Sequence, residues 1–334
     1  AIASDVHGKN HHKEGTFCDH VMSFELMLHD GKIITCSRKN NPEIFKATCG
    51  GNGLTGIILK ATFTLKKIES AYIKQRTIRA QNIEELIKAI EDNEHCTYAV
   101  AWIDCVTKGK NLGRGVLLLG EHATVDDLPL KKRKNPLVLP KKKKLTVPIF
   151  FPNFTLNKFS IKAFNWLYYH KTPKGVSESI IDYNTFFYPL DAIDNWNRIY
   201  GRRGFTQYQF VIPKEAGHEA MQVIMEKITG SGMGSFLAVL KTAGKHNGNY
   251  LSFPMEGYTL ALDFAINTKL FSFLNELDEL VMKYGGRLYM TKDVRMGSRF
   301  FKSSYPDIKK FIEVRKKIKA DFLFESLQSK RLGI

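Results

Sequence analysis

Strand-like segments in this chain often follow one another directly instead of alternating with helices. Residues 22–36 are typical of a β-hairpin, because Asp30-Gly31 tolerates the positive φ angles of a two-residue turn. Three further strands are predicted at residues 72–80, 97–106 and 113–120. A doubly wound parallel sheet would need a helix after each strand. The order therefore predicts an α+β fold with largely antiparallel sheets.

Helical periodicity is clearest at residues 82–94, where four isoleucine and leucine side chains lie on one face after a cap formed by Asn82 and Glu85. A short helix capped by Asn41 is expected to begin at Pro42. Other helices are predicted near residues 160–170, 190–200, 215–229, 268–284 and 306–318. Other strands are predicted at residues 56–68, 183–188, 205–212, 235–242, 257–265 and 287–292.

Composition indicates a globular protein with a large core, since 43% of the 334 residues are apolar and 25% are charged. No apolar run approaches the ~20 residues of a membrane-spanning helix. The five cysteines are odd in number, form no CxxC pair and lie in the first third of the chain. This usage is typical of reduced thiols, so we expect a cytoplasmic protein. The first residues, AIASDVHGKNHH, lack the features of a signal peptide.

The formal net charge is +17, and residues 131–144 (KKRKNPLVLPKKKK) contribute eight basic residues and no acidic one. Two prolines and two lysine blocks predict an exposed loop. One interpretation is a solvated basic loop. The other is a peripheral contact with an anionic membrane surface or ligand. No nucleic-acid-binding motif accompanies the charge, so no nucleic-acid partner is expected.

Two polar segments near the start of the chain invite comparison with known sites. The first holds four histidines and two aspartates at a spacing that matches no standard metal motif, so no metal site is predicted and a polar loop beside a cofactor is favoured. The second is the glycine-rich run at residues 50–56. A dinucleotide loop follows a strand and opens a helix, whereas this run is expected after a helix and before a strand. A Rossmann-type NAD site is therefore disfavoured, and the glycines indicate a turn or a close approach of a ligand or another strand.

Polar side chains interrupt several apolar strands at alternate positions. Gln207 and Gln209 share one face of their strand, as do Val239 with Lys241 and Thr259 with Asp263. Such a face, with Trp102 nearby, could bind a polyhydroxylated ligand through amides, an aromatic wall and a cation. A solvated sheet face is the alternative. No signature of a serine hydrolase, P-loop protein, zinc protease or kinase is present.

Four segments together resemble a known family: AIASDVHGKNHHKEGTFCDHV, FKATCGGNGLTGIILKATFTL, FTQYQFVIP and GGRLYMTKDVR. They are similar to the FAD-linked oxidases of the vanillyl-alcohol-oxidase (PCMH) type, which include the aldonolactone oxidases. Within that family the similarity is to the enzymes that act on a polyprenyl-phosphoryl ribose, and it covers the whole chain.

The resemblance implies a two-domain PCMH-type FAD-binding fold. Residues 1–70 and 287–334 would belong to the FAD-binding domain. Residues 71–286 would form a substrate domain on a large antiparallel sheet flanked by helices. The family's glycine-rich N-terminal subdomain, which cradles the FAD pyrophosphate, has no counterpart in these residues, so we expect it upstream or on a separate chain.

The family's activity implies oxidation of the 2′-hydroxyl of a lipid-linked phosphoribose, with hydride transfer to FAD. A quinone-like acceptor would reoxidise the flavin, and a short-chain reductase partner would complete epimerisation of the sugar. Apart from the resemblance, cysteine usage predicts a cytoplasmic location, and the basic segment 131–144 could place the protein peripherally at the inner face of the membrane. There are two alternatives. One is an aldonolactone oxidase, and the other is a flavin-free fragment that binds a sugar phosphate or a membrane surface.

Matched position by position, the resemblance also assigns site residues. The predicted FAD contacts are Ser4, Asp5, Val6, His7, Ile58 and Tyr289. The predicted catalytic residues are Lys292 at the flavin edge and His7 beside the flavin ring. The predicted substrate contacts are Trp102, Gln207, Gln209, Val239, Lys241 and Thr259.

The chain departs from the family's pattern at two places. Thr259-Leu260-Ala261 replaces an Asn-x-Cys sequence, and Phe187 replaces a pocket tyrosine. An alternative for Lys292 is a surface lysine that pairs with Asp293 or Asp263.

Overall fold

The computed structural model of the protein describes residues 1–334. Thirteen strands are present: β1 (Val21–Met27), β2 (Ile33–Ser37), β3 (Ile57–Phe63), β4 (Tyr72–Ala80), β5 (Tyr98–Ile103), β6 (Gly115–His122), β7 (Leu145–Thr146), β8 (Val176–Asp182), β9 (Ile193–Asp194), β10 (Phe205–Pro213), β11 (Ala238–Ala243), β12 (Gly257–Ala265) and β13 (Arg287–Leu288).

Eleven helices complete the regular structure: α1 (His11–Glu14), α2 (Pro42–Thr48), α3 (Ile83–Glu91), α4 (Leu130–Arg133), α5 (Lys158–Lys171), α6 (Tyr183–Phe187), α7 (Gly217–Ser231), α8 (Leu270–Lys283), α9 (Ser298–Ser304), α10 (Ile308–Lys317) and α11 (Leu327–Leu332). None of them is long and apolar enough to cross a membrane.

An eight-stranded sheet dominates the architecture, with the strand order β13-β10-β12-β11-β5-β6-β4-β8. Every neighbouring pair in it is antiparallel. A second, three-stranded sheet has the order β2-β1-β3 and is also antiparallel. The predicted α+β class with a large antiparallel sheet is therefore confirmed.

The main core lies against one face of the large sheet. Residues such as Phe210, Leu240 and Leu260 point from the strands into this core and are buried. Helices α3, α7 and α8 supply the opposing layer, since their apolar positions recur at helical spacing and are buried on one side, as at Leu86 and Ile90 of α3. Alternation along the strands leaves the other face of the sheet free to carry polar side chains.

The small sheet has its own core, in which Phe24 stacks on Phe45 with ring centroids 5.1 Å apart. The hairpin predicted at residues 22–36 is confirmed by the pairing of β1 with β2. The five cysteines are all buried and free.

The glycine-rich run at residues 50–56 does follow a helix and precede a strand. A side chain at Gly51 would meet the carbonyl of Ala47, so this glycine permits close packing of the chain on itself.

The prediction of a strand at residues 183–188 is wrong. The strand, β8, ends at Asp182, whose carboxylate accepts a hydrogen bond from the Thr185 amide at 3.1 Å and caps α6. This cap outweighs the β-propensity of the aromatic residues that follow. Phe187 is therefore helical.

Three other predicted elements are corrected. The helix expected at residues 190–200 is two 3₁₀ turns, because Asn195 between them adopts a left-handed conformation with φ 57°. Asn41 does not cap α2, because its side chain donates to the Thr35 carbonyl instead. The strand predicted at residues 56–68 ends at Phe63, where its pairing with β1 ends.

The strand expected at residues 287–292 is limited to Arg287 and Leu288, and a 3₁₀ turn over Met290–Lys292 follows it. The basic segment 131–144 is exposed along most of its length, as predicted, although its first residues belong to α4. Lys142 forms an ion pair with Asp182, and Lys144 forms one with Asp194. These contacts attach the second lysine block, residues 141–144, to the rest of the protein.

Candidate active site

A row of side chains crosses the open face of the large sheet. Gln209 lies opposite Ala261, Ala261 opposite Val239, and Val239 opposite Trp102. Directly opposed residues of antiparallel strands point to the same face. Lys241 and Thr259 form a neighbouring pair, and Gln207 lies opposite Asp263. The common face predicted from alternation is confirmed, and Trp102 belongs to it.

The N-terminal segment lies against this face and is held there by Asp5. The buried carboxylate of Asp5 accepts hydrogen bonds from Ser252 at 2.7 Å, from Asn247 at 2.8 Å and from Asn249 at 3.0 Å. Burial alone would raise the pKa of Asp5, but the hydrogen bonds outweigh it and lower that pKa. The Asp5 side chain therefore anchors the segment, and its oxygens are committed to the protein.

His7 reaches from this segment to the row of polar residues. Its Nε2 lies 3.2 Å from the side-chain nitrogen of Gln209, which also donates to the Thr259 hydroxyl at 3.2 Å. Burial, with Lys241, His11 and Lys292 nearby, lowers the pKa of His7 well below its usual value. The imidazole is thus neutral. With Nε2 accepting, its proton is on Nδ1, which is buried and has no partner.

Two aromatic rings surround His7. The centroids of Tyr289 and Phe253 lie 5.2 Å and 5.4 Å from that of the imidazole, and these two rings stack on each other at 4.6 Å. The Tyr289 hydroxyl donates to the Ser4 carbonyl at 3.3 Å. The unpartnered Nδ1–H of His7 thus lies in an aromatic environment that suits a planar ligand with a hydrogen-bond acceptor.

The 3₁₀ turn after β13 brings Lys292 into the same region. In a regular strand Tyr289 and Lys292 would face opposite ways, whereas residues three apart in a 3₁₀ turn lie on the same side. Both line a shallow cleft, which Gln207 and Gln209 also line. The proposed ion-pair alternative for Lys292 is not seen, because Asp293 pairs with Arg331 and Asp263 accepts from Gln207.

Positive charge accumulates at this site. Burial, followed by the charge of Lys292, lowers the pKa of Lys241 to about 8. Burial, followed by the charge of Lys241, lowers the pKa of Lys9 to about 8. Lys241 and Lys292 therefore share one region with no carboxylate paired to either, an arrangement suited to an anionic ligand or a developing negative charge. The ammonium group of Lys9, by contrast, donates to the Phe186 carbonyl.

Asp263 is the acidic group of the site. Its side chain is buried and accepts a hydrogen bond from the Gln207 amide at 2.7 Å. Burial raises the pKa of Asp263 to about 6, against the opposing effects of Gln207 and Lys292. The carboxylate orients Gln207 and leaves the amide oxygen of that residue free.

The structure brings most of the predicted site residues together, but not all of them. Ile58 packs against the core of the small sheet, away from the cleft. Trp102 forms one wall: its indole nitrogen donates to the Phe236 carbonyl at 3.0 Å and its ring contacts Tyr168 of α5. Val6 is held by backbone hydrogen bonds within the N-terminal segment. The predicted roles of all these residues in binding stay predictions.

Lys9 and Phe253 are features of the site that no prediction assigned to it, and Asp263 was predicted to lie on its face but was given no role there. Lys9 follows His7 by two residues, so its place in the same loop was a usable signal. Asp263 shares the strand face of Thr259, which was visible from alternation alone. Phe253 lies in a loop far along the chain from His7, and nothing in the local sequence connects the two.

Comparison with known proteins identifies the family. The chain is 39% identical over 337 aligned residues to a decaprenylphosphoryl-β-D-ribose oxidase from Mycolicibacterium smegmatis; the alignment covers all of this chain and 73% of that protein. The chain belongs to the decaprenylphosphoryl-β-D-ribose oxidase family. It is accordingly an oxidoreductase.

A second relative of this chain is an uncharacterised protein from the mprA 5′ region of Streptomyces coelicolor. It is 29% identical over 346 aligned residues, which cover all of this chain and 92% of that protein. No protein-family profile matches the chain.

Proposed function

We propose that this protein is an FAD-dependent oxidoreductase that oxidises the 2′-hydroxyl of a polyprenyl-phosphoryl ribose. One observation carries the proposal: the buried Nδ1 of His7 has no partner and lies among aromatic rings beside two lysines. The Mycolicibacterium smegmatis relative, named for the oxidation of decaprenylphosphoryl ribose, supports the choice of substrate.

The residues present fit a flavin. An isoalloxazine ring is planar and carries carbonyl and ring-nitrogen acceptors, which match the Nδ1–H of His7 and the ring of Tyr289. The backbone of Ser4, Asp5 and Val6 would line the same ligand, and Ile58 is the further contact expected from the family. When bound, FAD supplies the hydride acceptor for the oxidation.

The chain's own residues would then handle the sugar hydroxyl. The ammonium group of Lys292 stabilises the negative charge that develops on the hydroxyl oxygen as its proton leaves. Lys241, whose pKa of about 8 is near working pH, is suited to accept that proton in its neutral form. Lys292 in its neutral form is the alternative acceptor.

Substrate binding would use the polar row. The side-chain oxygens of Gln207 and Gln209 accept no hydrogen bond within the protein, because both amides bond through nitrogen. These oxygens are suited to sugar hydroxyls, with Thr259, Val239 and Trp102 beside them. The amino groups of Lys241 and Lys292 are suited to the phosphate diester of a lipid-linked sugar.

The finer assignments of the family belong to this proposal. They are a PCMH-type fold with an FAD-binding domain at residues 1–70 and 287–334, and a substrate domain at residues 71–286. Ala261 in the family's Cys position, and Phe187 in a Tyr position, alter the lining of the pocket. A quinone-like acceptor and a short-chain reductase would act after the sugar is oxidised.

The test is anaerobic mixing of flavin-loaded protein with a short-chain polyprenyl-phosphoryl ribose while the visible flavin absorbance is recorded. We expect bleaching of the oxidised flavin bands and formation of a 2′-keto sugar. Faster bleaching by D-arabinono-1,4-lactone would favour an aldonolactone oxidase. Protein that is supplied with the glycine-rich subdomain and still takes up no flavin, yet binds the sugar phosphate, would refute the proposal in favour of a flavin-free binding protein.

A further inference from the structure

Helix α5 is apolar on two opposite faces. Its inner face buries Ile161, Asn165 and Tyr169, and Asn165 donates to Asp104 at 2.8 Å. Its outer face presents Phe159, Trp166 and Leu167, whose exposed fractions are 80%, 52% and 61%. A helix at the surface of a water-soluble domain normally carries polar residues on the side that faces away from the core. The outer face of α5 is therefore suited to a partner that removes these side chains from water.

The exposed apolar surface continues before the helix. Ile149, Phe150 and Phe154 are all exposed in the segment that leads into α5. Asn157 fixes the geometry of this junction, since its side chain caps α5 and its amide nitrogen donates to the Phe154 carbonyl at 2.9 Å. The aromatic residues on both sides of the cap thus belong to an ordered surface.

The same part of the chain has an unusual charge pattern. Twelve lysine and arginine residues, and no aspartate or glutamate, lie between Leu128 and Ser177. Only three of these twelve form ion pairs in the structure: Arg133, Lys142 and Lys144. Lys162 and Lys171 lie on α5 itself, beside its outer apolar face. The surface therefore selects a partner that is both apolar and anionic.

We propose that α5, the segment 149–154 and the basic segment 131–144 form one docking surface for an anionic lipid membrane. Trp and Phe at the outer face would enter the interface between headgroups and acyl chains. The lysine side chains can extend to the lipid phosphates while their methylene groups remain on the apolar surface. An acidic protein would satisfy the charge, but bulky aromatic residues among dispersed lysines are more typical of interfacial membrane helices.

This docking surface is next to the candidate active site. Tyr168 of α5 contacts Trp102 of the polar row, with ring centroids 4.6 Å apart. A membrane bound at α5 would therefore lie close to the polar row, which, resting on the proposed function, is where a lipid-linked substrate would bind. Membrane binding itself requires no flavin and no turnover, so it can be tested independently of the proposed oxidase activity.

The test is flotation of the full chain with vesicles of equimolar phosphatidylglycerol and phosphatidylcholine, compared with vesicles of phosphatidylcholine alone. We expect binding to the anionic vesicles at low salt and weaker binding at high salt. Phe159→Ser with Trp166→Ser and Leu167→Ser should lower the partition coefficient at least about tenfold. Serine at Lys131, Lys134, Lys141 and Lys143 should remove most of the salt dependence.

Matched controls lie at the other end of the chain. Phe322→Ser with Leu323→Ser removes exposed apolar residues, and Lys309→Ser with Lys316→Ser removes exposed charge. Both controls should bind vesicles as the wild type does, and circular dichroism verifies that every variant is folded. Equal binding by the folded α5 triple variant and the wild type would overturn the proposal. A wild-type protein that ignores vesicles but self-associates through α5 would also overturn it and would assign the surface to a second copy.

Discussion

The side-chain nitrogen of Gln209 lies 3.2 Å from Nε2 of His7, although 202 residues separate them in the chain. The same nitrogen donates to the Thr259 hydroxyl at 3.2 Å. One buried amide therefore joins the N-terminal segment to two strands of the large sheet. It also determines the tautomer of His7, because an accepting Nε2 leaves the proton on Nδ1.

The first prediction concerns this link. Gln209→Leu keeps the side-chain size but leaves the buried Nε2 of His7 without a donor, so we expect the free energy of unfolding to fall by about 1–3 kcal/mol. Urea denaturation measures the loss. Thr259→Val removes only one of the two hydrogen bonds and should cost less. A Gln209→Leu protein as stable as the wild type would show that the contact contributes nothing.

The second prediction concerns Lys292 and depends on the proposed oxidase activity. Lys292→Ala removes a cation from the cleft without breaking an ion pair, so the fold should be retained. Loss of an electrostatic partner to a developing oxyanion should slow flavin reduction by ~10²-fold or more, as stopped-flow absorbance would measure. The exposed Lys283 of α8 is the control, and Lys283→Ala should reduce its flavin at the wild-type rate. Unchanged reduction by Lys292→Ala would exclude the lysine from the chemistry.

The third prediction concerns the carboxyl group of Asp263. Its pKa in the folded protein is about 6, above the ordinary value of 3.8. The unfolded chain therefore loses this proton first, and the contribution of Asp263 to stability falls as pH rises between about 4 and 6. Asp263→Asn removes that penalty while its amide oxygen still accepts from Gln207.

Stability measured as a function of pH tests this expectation. At pH 7 the free energy of unfolding of the Asp263→Asn variant should exceed that of the wild type by at most about 3 kcal/mol. The difference should shrink towards zero as pH falls below about 4, where the carboxyl is protonated in both states. An advantage for the variant that persists unchanged at low pH would argue against titration of Asp263 as its cause.

The fourth prediction concerns Asp5, whose pKa is shifted in the opposite direction. Its folded pKa is lowered, so its contribution to stability is complete above the ordinary value of 3.8 and is lost as pH falls below it. Asp5→Asn places an amide donor among the three side chains that donate to the carboxylate. We expect it to lower the free energy of unfolding by about 3 kcal/mol at pH 7. Thermal unfolding monitored by circular dichroism measures this cost.

Asp19 provides a control for Asp5, since it is an exposed carboxylate in the same segment. Its carboxylate accepts from the Thr16 amide at 2.8 Å, a hydrogen bond that the side-chain oxygen of asparagine can also accept. Its ion-pair partner Arg38 lies 3.3 Å away at the surface, and such pairs contribute about 0–1 kcal/mol. Asp19→Asn should therefore have a small effect. If Asp5→Asn is no more destabilising than Asp19→Asn, the hydrogen bonds seen at Asp5 do not hold the N-terminal segment.

The alternation of side chains along each strand of the large sheet follows from local sequence. Alternation was sufficient to place Gln207 with Gln209, and Val239 with Lys241, on one face of their own strands, because side chains in a strand must alternate. The strand order β10-β12-β11-β5, which joins these faces, is given only by the tertiary structure. The helix α3 and the hairpin of β1 and β2 were equally readable, since caps, apolar periodicity and an Asp-Gly turn act within a few residues. These features can be predicted from the sequence because the interactions that specify them are local.

Other parts of the site were decided only by the tertiary structure. The end of β13 depends on how far β10 can pair with it, and that end turns Lys292 towards Tyr289. The neutral state of His7 and the raised pKa of Asp263 arise from burial by residues that are remote in the chain. Burial and charge depend on distances in space, and a local reading of the sequence contains no such distances.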